Sequence, residues 1–350
     1  MTVALSILDL APVSAGSTRK QALDTAVKYA QVAEQAGYSR YWMAEHHGSA
    51  TFMSSATALL LGRAAEHTST IRLGSGGVML PNHSPLMVAE YYGTLATIYG
   101  DRIDLGLGRA PGTDPVTAAE LRRGGADLND FAVDVLKLTQ FLGGSDEVKV
   151  EDGVSGAGAA VLGLQARPNQ LHRVVRAIPG EGTNIPIWML GSSTGGAQVA
   201  AELGLPFSFA SHFAPQQLST ALQVYRTNFK KNARTAQVTE PTVMAGVNIM
   251  VADTEKEAHF QATTYKRMQE QLRFGSTGPL QEPSWENVEV WNNPGIDPTH
   301  IIGTPDTVAE KIGQFVEAYS LDEVIISCNS YDPAVKEAAI TNVAKEWGLG

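Results

Sequence analysis

Thiols are almost missing from this chain. One cysteine, Cys328, stands among 350 residues, which excludes an intrachain disulfide framework and any zinc site built on cysteines. Long apolar runs are missing as well: no eighteen consecutive residues are apolar, so nothing reads as a membrane-spanning helix. Basic residues are outnumbered, 26 Lys and Arg against 36 Asp and Glu, for a formal net charge of −10. A general nucleic-acid binder needs a basic face to displace counterions, and this balance argues against one. Residues 1–10 lack the basic start and unbroken apolar core of a signal peptide, because Asp9 interrupts them. The expectation is a cytoplasmic protein with no membrane and no nucleic-acid partner. The dinucleotide signature Gly-x-Gly-x-x-Gly is also absent, since neither Gly74-Ser75-Gly76-Gly77 nor Gly106-Leu107-Gly108-Arg109 completes it. An open doubly wound sheet thereby loses its commonest support.

What is present is a rhythm. With 43% hydrophobic and 18% charged residues, the chain can bury a large core. Strand-like runs are predicted at 4–10, 38–45, 71–80, 103–108, 187–191, 207–210, 243–251 and 323–328, each separated from the next by a helical pattern. The first helix puts Leu23, Ala26, Val27, Ala30 and Ala33 on one face, with Gly37 ending it in a left-handed conformation. Another is predicted to start with Ser84 as N-cap and Pro85 at its first position. Helices between strands impose parallel neighbours and right-handed crossovers. Eight such strands can close, so the predicted fold is a single (β/α)8 TIM-type barrel spanning residues 1–350 as one domain. Two runs break the rhythm: 143–184, after the fourth strand, reads as an inserted lid, and 275–300 is a second irregular excursion.

Active sites of such barrels are built at the carboxyl ends of the strands. Glu45-His46-His47 ends the second predicted strand and places two imidazoles beside a carboxylate, which suits acid or base work. Neighbours on an extended chain point to opposite faces, so His46 and His47 make a poor pair of metal ligands. No metal is expected. Gly74-Ser75-Gly76-Gly77 admits two readings, a barrel corner or a backbone against which a flat ring packs. Gly191-Ser192-Ser193-Thr194 leads into a helix, where hydroxyls either cap the helix or help bind an anion. Arg109, at the end of the fourth strand, is either a phosphate-binding cation or a salt-bridge partner for one of many carboxylates. Met79, Trp188, Phe213, Trp285 and Trp291 are candidates for an apolar pocket, although core packing is the plainer role for each.

Taken together, these segments resemble the bacterial luciferase-like flavin monooxygenases, in the branch of the YhbW-type proteins. The resemblance rests on Leu8-Asp9-Leu10-Ala11-Pro12, Tyr41-Trp42-Met43-Ala44-Glu45-His46-His47, Leu73-Gly74-Ser75-Gly76-Gly77-Val78-Met79-Leu80-Pro81-Asn82-His83-Ser84-Pro85, Arg102 to Gly112 and Gly204-Leu205-Pro206-Phe207. It implies a barrel that holds FMN, reduced during turnover and supplied by a separate reductase, which uses O2 on a small organic substrate. It further implies a non-prolyl cis peptide at Gly76-Gly77, phosphate binding by Arg109 and Ser193 with Ser192 adjacent, and cofactor contacts at Ala11 and Gly191. His46 maps onto the family's catalytic histidine, and Glu45 is expected to orient an imidazole. Where the luciferases carry a reactive cysteine before this arginine, the chain has Gly108, which speaks against light emission but not against flavin binding. Relatives pair through the helices flanking the second and third strands, so a homodimer is expected. A deazaflavin F420-dependent hydride-transfer enzyme and a non-catalytic flavin-binding protein are the competing readings.

Overall fold

Eight parallel strands close into a ring. The structure, a computed structural model, describes residues 3–121, 131–143, 175–273, 276–286 and 300–350. Its strands are β1 (Ala4–Asp9), β2 (Arg40–Met43), β3 (Arg72–Met79), β4 (Ile103–Gly108), β5 (Ile187–Gly191), β6 (Phe207–Phe209), β7 (Val243–Val251), β8 (Ile301–Gly303) and β9 (Glu323–Ser327). β1 through β7 pair in sequence order, and β9 closes the ring between β7 and β1. The sequence-derived barrel is therefore correct. β8, which the sequence pattern did not reveal, pairs with the far end of β7 at Ile249, Met250 and Val251, outside the ring.

The helices are α1 (Arg19–Gln35), α2 (Thr57–Ala65), α3 (Pro85–Tyr99), α4 (Pro115–Leu121), α5 (Phe131–Gly143), α6 (Thr194–Leu203), α7 (Leu218–Asn228), α8 (Glu255–Arg273), α9 (Pro305–Tyr319) and α10 (Pro333–Trp347). On α1, Ala26, Val27, Ala30 and Ala33 are buried, and Gly37 comes after it with φ +83°, the left-handed geometry predicted for it. Ser84 is the N-cap of α3, with Pro85 next, but its side chain makes no capping bond. Of the expected lid, residues 144–174 lie outside the described residues. Residues 175–184 lead into β5, with the Gly182 and Asn184 N–H groups donating to the Leu142 carbonyl. Of the second excursion, Leu280 is buried and exchanges backbone bonds with Val13 and Ala15 beyond β1.

Alternation along the strands decides what fills the barrel. Arg40, Asp104, Arg72, Glu323 and Ser6 form a polar layer at one end: Arg40 bridges Asp104 at 2.7 Å and Glu323 at 3.0 Å, and Arg72 bridges Asp104 at 2.6 Å. Ser6 donates to Glu323. Above it, Leu8, Trp42, Trp188, Met244 and Ile325 pack together, with the Arg40 guanidinium 5.0 Å from the Trp188 ring. The interior is thus plugged by side chains, as TIM-type barrels are, and the carboxyl ends of the strands form the open rim. Outside the ring, a second charged contact joins β1 to α10. Lys336, 2% exposed, bonds at 2.8 Å to Asp9, 0% exposed. Tyr41 and the Ala11 N–H also donate to that carboxylate. Burial pushes Asp9 up, but the charge and hydrogen bond of Lys336 outweigh it and hold the carboxyl below its usual range.

Candidate active site

The end of β2 divides its three polar residues between two environments. β2 stops at Met43, two residues earlier than the sequence pattern implied, because the Ala44 N–H still bonds to Asp9 while the His46 N–H turns to Ser54. Glu45, 2% exposed, accepts from His47 Nε2 at 2.7 Å and from His83 Nε2 at 2.8 Å through the same oxygen. Burial raises its pKa, yet these two hydrogen bonds outweigh burial and keep the carboxyl below the usual range. The ligand-type atoms of Glu45, His47 and His83 lie within 4.8 Å of one another, a spacing that could hold a metal ion. An ionised carboxylate accepting from two protonated ring nitrogens already satisfies all three groups without one.

His46 stands apart from this cluster. Its Nδ1 is buried without a hydrogen-bond partner, and its ring lies 5.0 Å from that of Phe52. Burial, with a smaller contribution from His47 and against the pull of Glu45, pushes its pKa down to about 4. Glu45 does orient imidazoles, but they are those of His47 and His83, not the adjacent His46. His83 lies in the segment 73–85 of the family resemblance, which implies no role for it. A contact with a residue 38 positions earlier leaves no periodic signal.

Gly76–Gly77 is a cis peptide, and the β3–β4 register shifts between Ser75 and Val78. A Cβ on Gly76 would lie 2.5 Å from Leu8 Cδ1, and one on Gly77 would lie 2.9 Å from the Gly106 carbonyl oxygen. At Gly77 the Cβ would meet backbone, so the protein's own packing requires glycine there, whereas at Gly76 it would meet the tip of the Leu8 side chain. Ala11, at φ +48°, is buried in the core.

Across the rim, β4 and β5 deliver groups to one point. Arg109 is exposed and enters none of the ion pairs found among the described residues. Both of its terminal nitrogens lie 3.7 Å, and Ser193 Oγ lies 3.8 Å, from the position a Cβ would take on Gly195. Ser193 is the N-cap of α6, yet its hydroxyl makes no capping bond. A guanidinium and an uncommitted hydroxyl thus meet beside the first turn of a helix, a set whose chemistry suits an anion. Ser192 and Gly191 lead into the same turn, half-buried. Among the described residues, Arg109 makes no salt bridge and the Ser193 side chain makes no capping bond.

The candidate pocket residues separate. Trp188 is inside the barrel plug, in edge contact with Trp42. Phe213 is 76% exposed, and Trp285 lies against Phe260 near the surface. Met79 occupies the space beside Gly108, its Sδ 3.0 Å from where a Cβ there would be. Trp291 lies outside the described residues.

A closed (β/α)8 barrel with Arg109 and Ser193 side by side after β4 and β5, and His46 after β2, defines a TIM-type barrel with its polar groups gathered at the carboxyl rim. The luciferase-like monooxygenase family matches residues 3–321, and the chain belongs to it. A luciferase-like monooxygenase of Escherichia coli (strain K12) is 41% identical over 338 residues, 95% of this chain and 93% of that one. Among solved structures, apo-MsnO8 superposes with a TM-score of 0.82 at 28% identity, covering 99% of both chains. Two others share the fold at TM-score 0.68. One is the oxygenating constituent of 3,6-diketocamphane monooxygenase from Pseudomonas putida in complex with FMN, at 20% identity over 99% of this chain and 98% of that one. The other is the coenzyme F420-dependent tetrahydromethanopterin reductase of Methanopyrus kandleri, at 18% identity over the same shares.

Proposed function

We propose that the protein is an FMN-dependent monooxygenase that takes reduced FMN from a separate reductase and uses O2 on a small organic substrate. The observation that carries this reading is the convergence of Arg109, Ser193 and the start of α6 at the rim. These groups fit a singly phosphorylated cofactor: the cation is unpaired among the described residues, the hydroxyl makes no capping bond, and both lie beside the first turn of α6. Ser192 and Gly191 belong to that turn, Gly76–Gly77 lies in the last half of β3 where the family resemblance puts the ring, and Ala11 follows β1. Reduced FMN, when bound, supplies the two electrons with which one atom of O2 enters the substrate and the other leaves as water.

The chain's own residues orient and protect that chemistry. Arg109 and Ser193 hold the phosphate. His46 enters as a neutral imidazole at about pH 7 and can accept or return a proton at Nδ1. Glu45 acts through position: by fixing His47 and His83 it ties the end of β2 to the segment before α3. The exposed apolar side chains Leu59, Met87, Tyr91 and Ile98 on α2 and α3 fit a homodimer interface.

Titration of the purified protein with photoreduced FMN tests the reading, with F420 as the competing ligand. Saturable FMN binding is expected, weakened about tenfold or more in Arg109→Ala because a hydrogen bond to a charged group contributes about 1.5–3 kcal/mol. Preference for F420 would move the protein to the hydride-transfer reading. FMN binding without any substrate-coupled O2 uptake would leave it a flavin carrier.

A further inference from the structure

The turn that carries Arg109 is held at both of its ends. It leaves β4 at Gly108, which is in register with Met79 of β3 and Leu190 of β5. Beyond Arg109 and Ala110, three consecutive residues are gripped by neighbouring chain. The Asn82 side-chain amide donates to the Pro111 carbonyl at 2.8 Å. The His47 N–H donates to the Gly112 carbonyl at 3.3 Å, and Thr113 Oγ1 donates to the His47 carbonyl at 2.8 Å. Between the ladder and these bonds stand only Arg109 and Ala110, both exposed.

The gripping segments are themselves anchored. His47 follows β2 and Asn82 follows β3, and one buried carboxylate oxygen ties those two segments together. Glu45 Oε1 accepts from His47 Nε2 at 2.7 Å and from His83 Nε2 at 2.8 Å, and hydrogen bonds to an ionised acceptor are stronger than neutral ones. Gly112 takes φ +62°, and a Cβ on it would lie 2.8 Å from Met79 Cγ and 3.0 Å from the Glu45 carbonyl oxygen. Met79 thus packs against both ends of the turn, because its Sδ also lies 3.0 Å from the Cβ position of Gly108.

Such a frame matters most to a side chain with no partner of its own at its tip. Arg109 reaches toward the start of α6, where both of its terminal nitrogens lie 3.7 Å from the Cβ position of Gly195. No ion pair among the described residues holds that tip, so the backbone at its root does the aiming. A long side chain on a loose turn loses turn and rotamer freedom together on binding, whereas one on a fixed turn loses only its rotamers.

We propose that His47 and Thr113, anchored through Glu45 and His83, are positioning residues that preset Arg109 for the phosphate group of the cofactor. They act through the backbone of residues 111–113, which fixes where the arginine starts. The inference rests on the phosphate-binding reading of Arg109 given above and adds to it the residues that set its strength.

The test separates the phosphate from the ring. Photoreduced FMN, and photoreduced riboflavin, which lacks the phosphate, are titrated anaerobically into wild type, Thr113→Val, His47→Phe and Thr113→Ser. Thr113→Val and His47→Phe are each expected to bind FMN about threefold to tenfold more weakly, the effect of having to order one long side chain on binding. Riboflavin affinity is expected to stay unchanged, and Thr113→Ser, which keeps the hydroxyl, to match wild type. In an Arg109→Ala background the same changes are expected to weaken FMN no further. Trypsin cleavage between Arg109 and Ala110, followed by mass spectrometry without flavin, is expected to be faster in Thr113→Val and His47→Phe than in wild type. Equal weakening of riboflavin, as a merely structural defect gives, overturns the proposal; so does weakening that persists without Arg109. FMN affinity indifferent to Thr113 and His47 keeps the flavin reading and removes this one. A wild type that binds neither flavin removes the flavin reading, and the positioning role then stands or falls with the cleavage rate.

Discussion

Two half-buried histidines held toward the neutral form make the stability of this barrel depend on pH in a range where carboxylates contribute little. His46 and His212 are each pushed from an ordinary 6.5 to about 4, chiefly by burial. As pH falls through 6.5, the unfolded chain takes up a proton at each ring and the folded chain does not. Stability is therefore full above about pH 6.5, falls between about 6.5 and 4, and levels once the folded rings also protonate. Between pH 7 and pH 5 the difference amounts to about 2 kcal/mol per ring, hence about 4 kcal/mol for the pair. Asp9 and Glu45, held below the usual carboxylate range, lose their contributions only at lower pH. The assay is urea unfolding at about pH 7 and about pH 5, monitored by tryptophan fluorescence, for wild type and the double variant His46→Asn, His212→Asn. Wild type is expected to lose about 4 kcal/mol more than the variant over that interval; the remaining histidines cancel in the difference. Equal losses in the two proteins, or imidazole resonances in the wild type that titrate near the ordinary value of about 6.5, would refute the reasoning.

Two further outcomes concern contacts away from the mouth. Lys336→Met leaves Asp9 buried without its cation and is expected to cost about 3–5 kcal/mol in urea unfolding. Adding Asp9→Asn should recover part of that loss, and no recovery would show that the lysine acts through packing alone. Replacing Leu59 and Ile98, exposed on α2 and α3, by glutamate is expected to convert a homodimer to a monomer in light scattering, and a wild-type mass of one chain would remove the dimer.

The barrel was legible because its signals are local and repeated. Each strand is a short run of apolar residues, each helix carries its own stripe and caps, and eight repetitions of that unit leave few ways to close. Boundaries were less legible where tertiary bonds intervene. Residues 44 and 45 carry strand-like character, yet the chain leaves the ladder after Met43 because His46 finds Ser54 rather than a neighbouring strand. β8 escaped notice because three residues, Ile301–Gly303, carry too little periodicity to stand out from the irregular run before them.

At the rim, backbone placement was easier to read than side-chain partnership. Arg109 and Ser193 could be located because each lies just past the end of a strand. The parallel β4–β5 pairing, Gly108 opposite Leu190, obliges the two segments leaving those strands to meet. Glu45 and His83 meet across two different levels of the chain, a strand end and the turn before α3, and nothing in their 38-residue separation encodes that. His212 is the sharper case. Its place depends on Gly246, on a different strand, having no side chain, and on Asn248 holding its carbonyl. Read singly, a histidine, a glycine and an asparagine in three ordinary positions carry no message. Their meaning is a space that one strand leaves for a ring on its neighbour, and only the register of β6 against β7, Ser208 beside Met244, brings the space and the ring together.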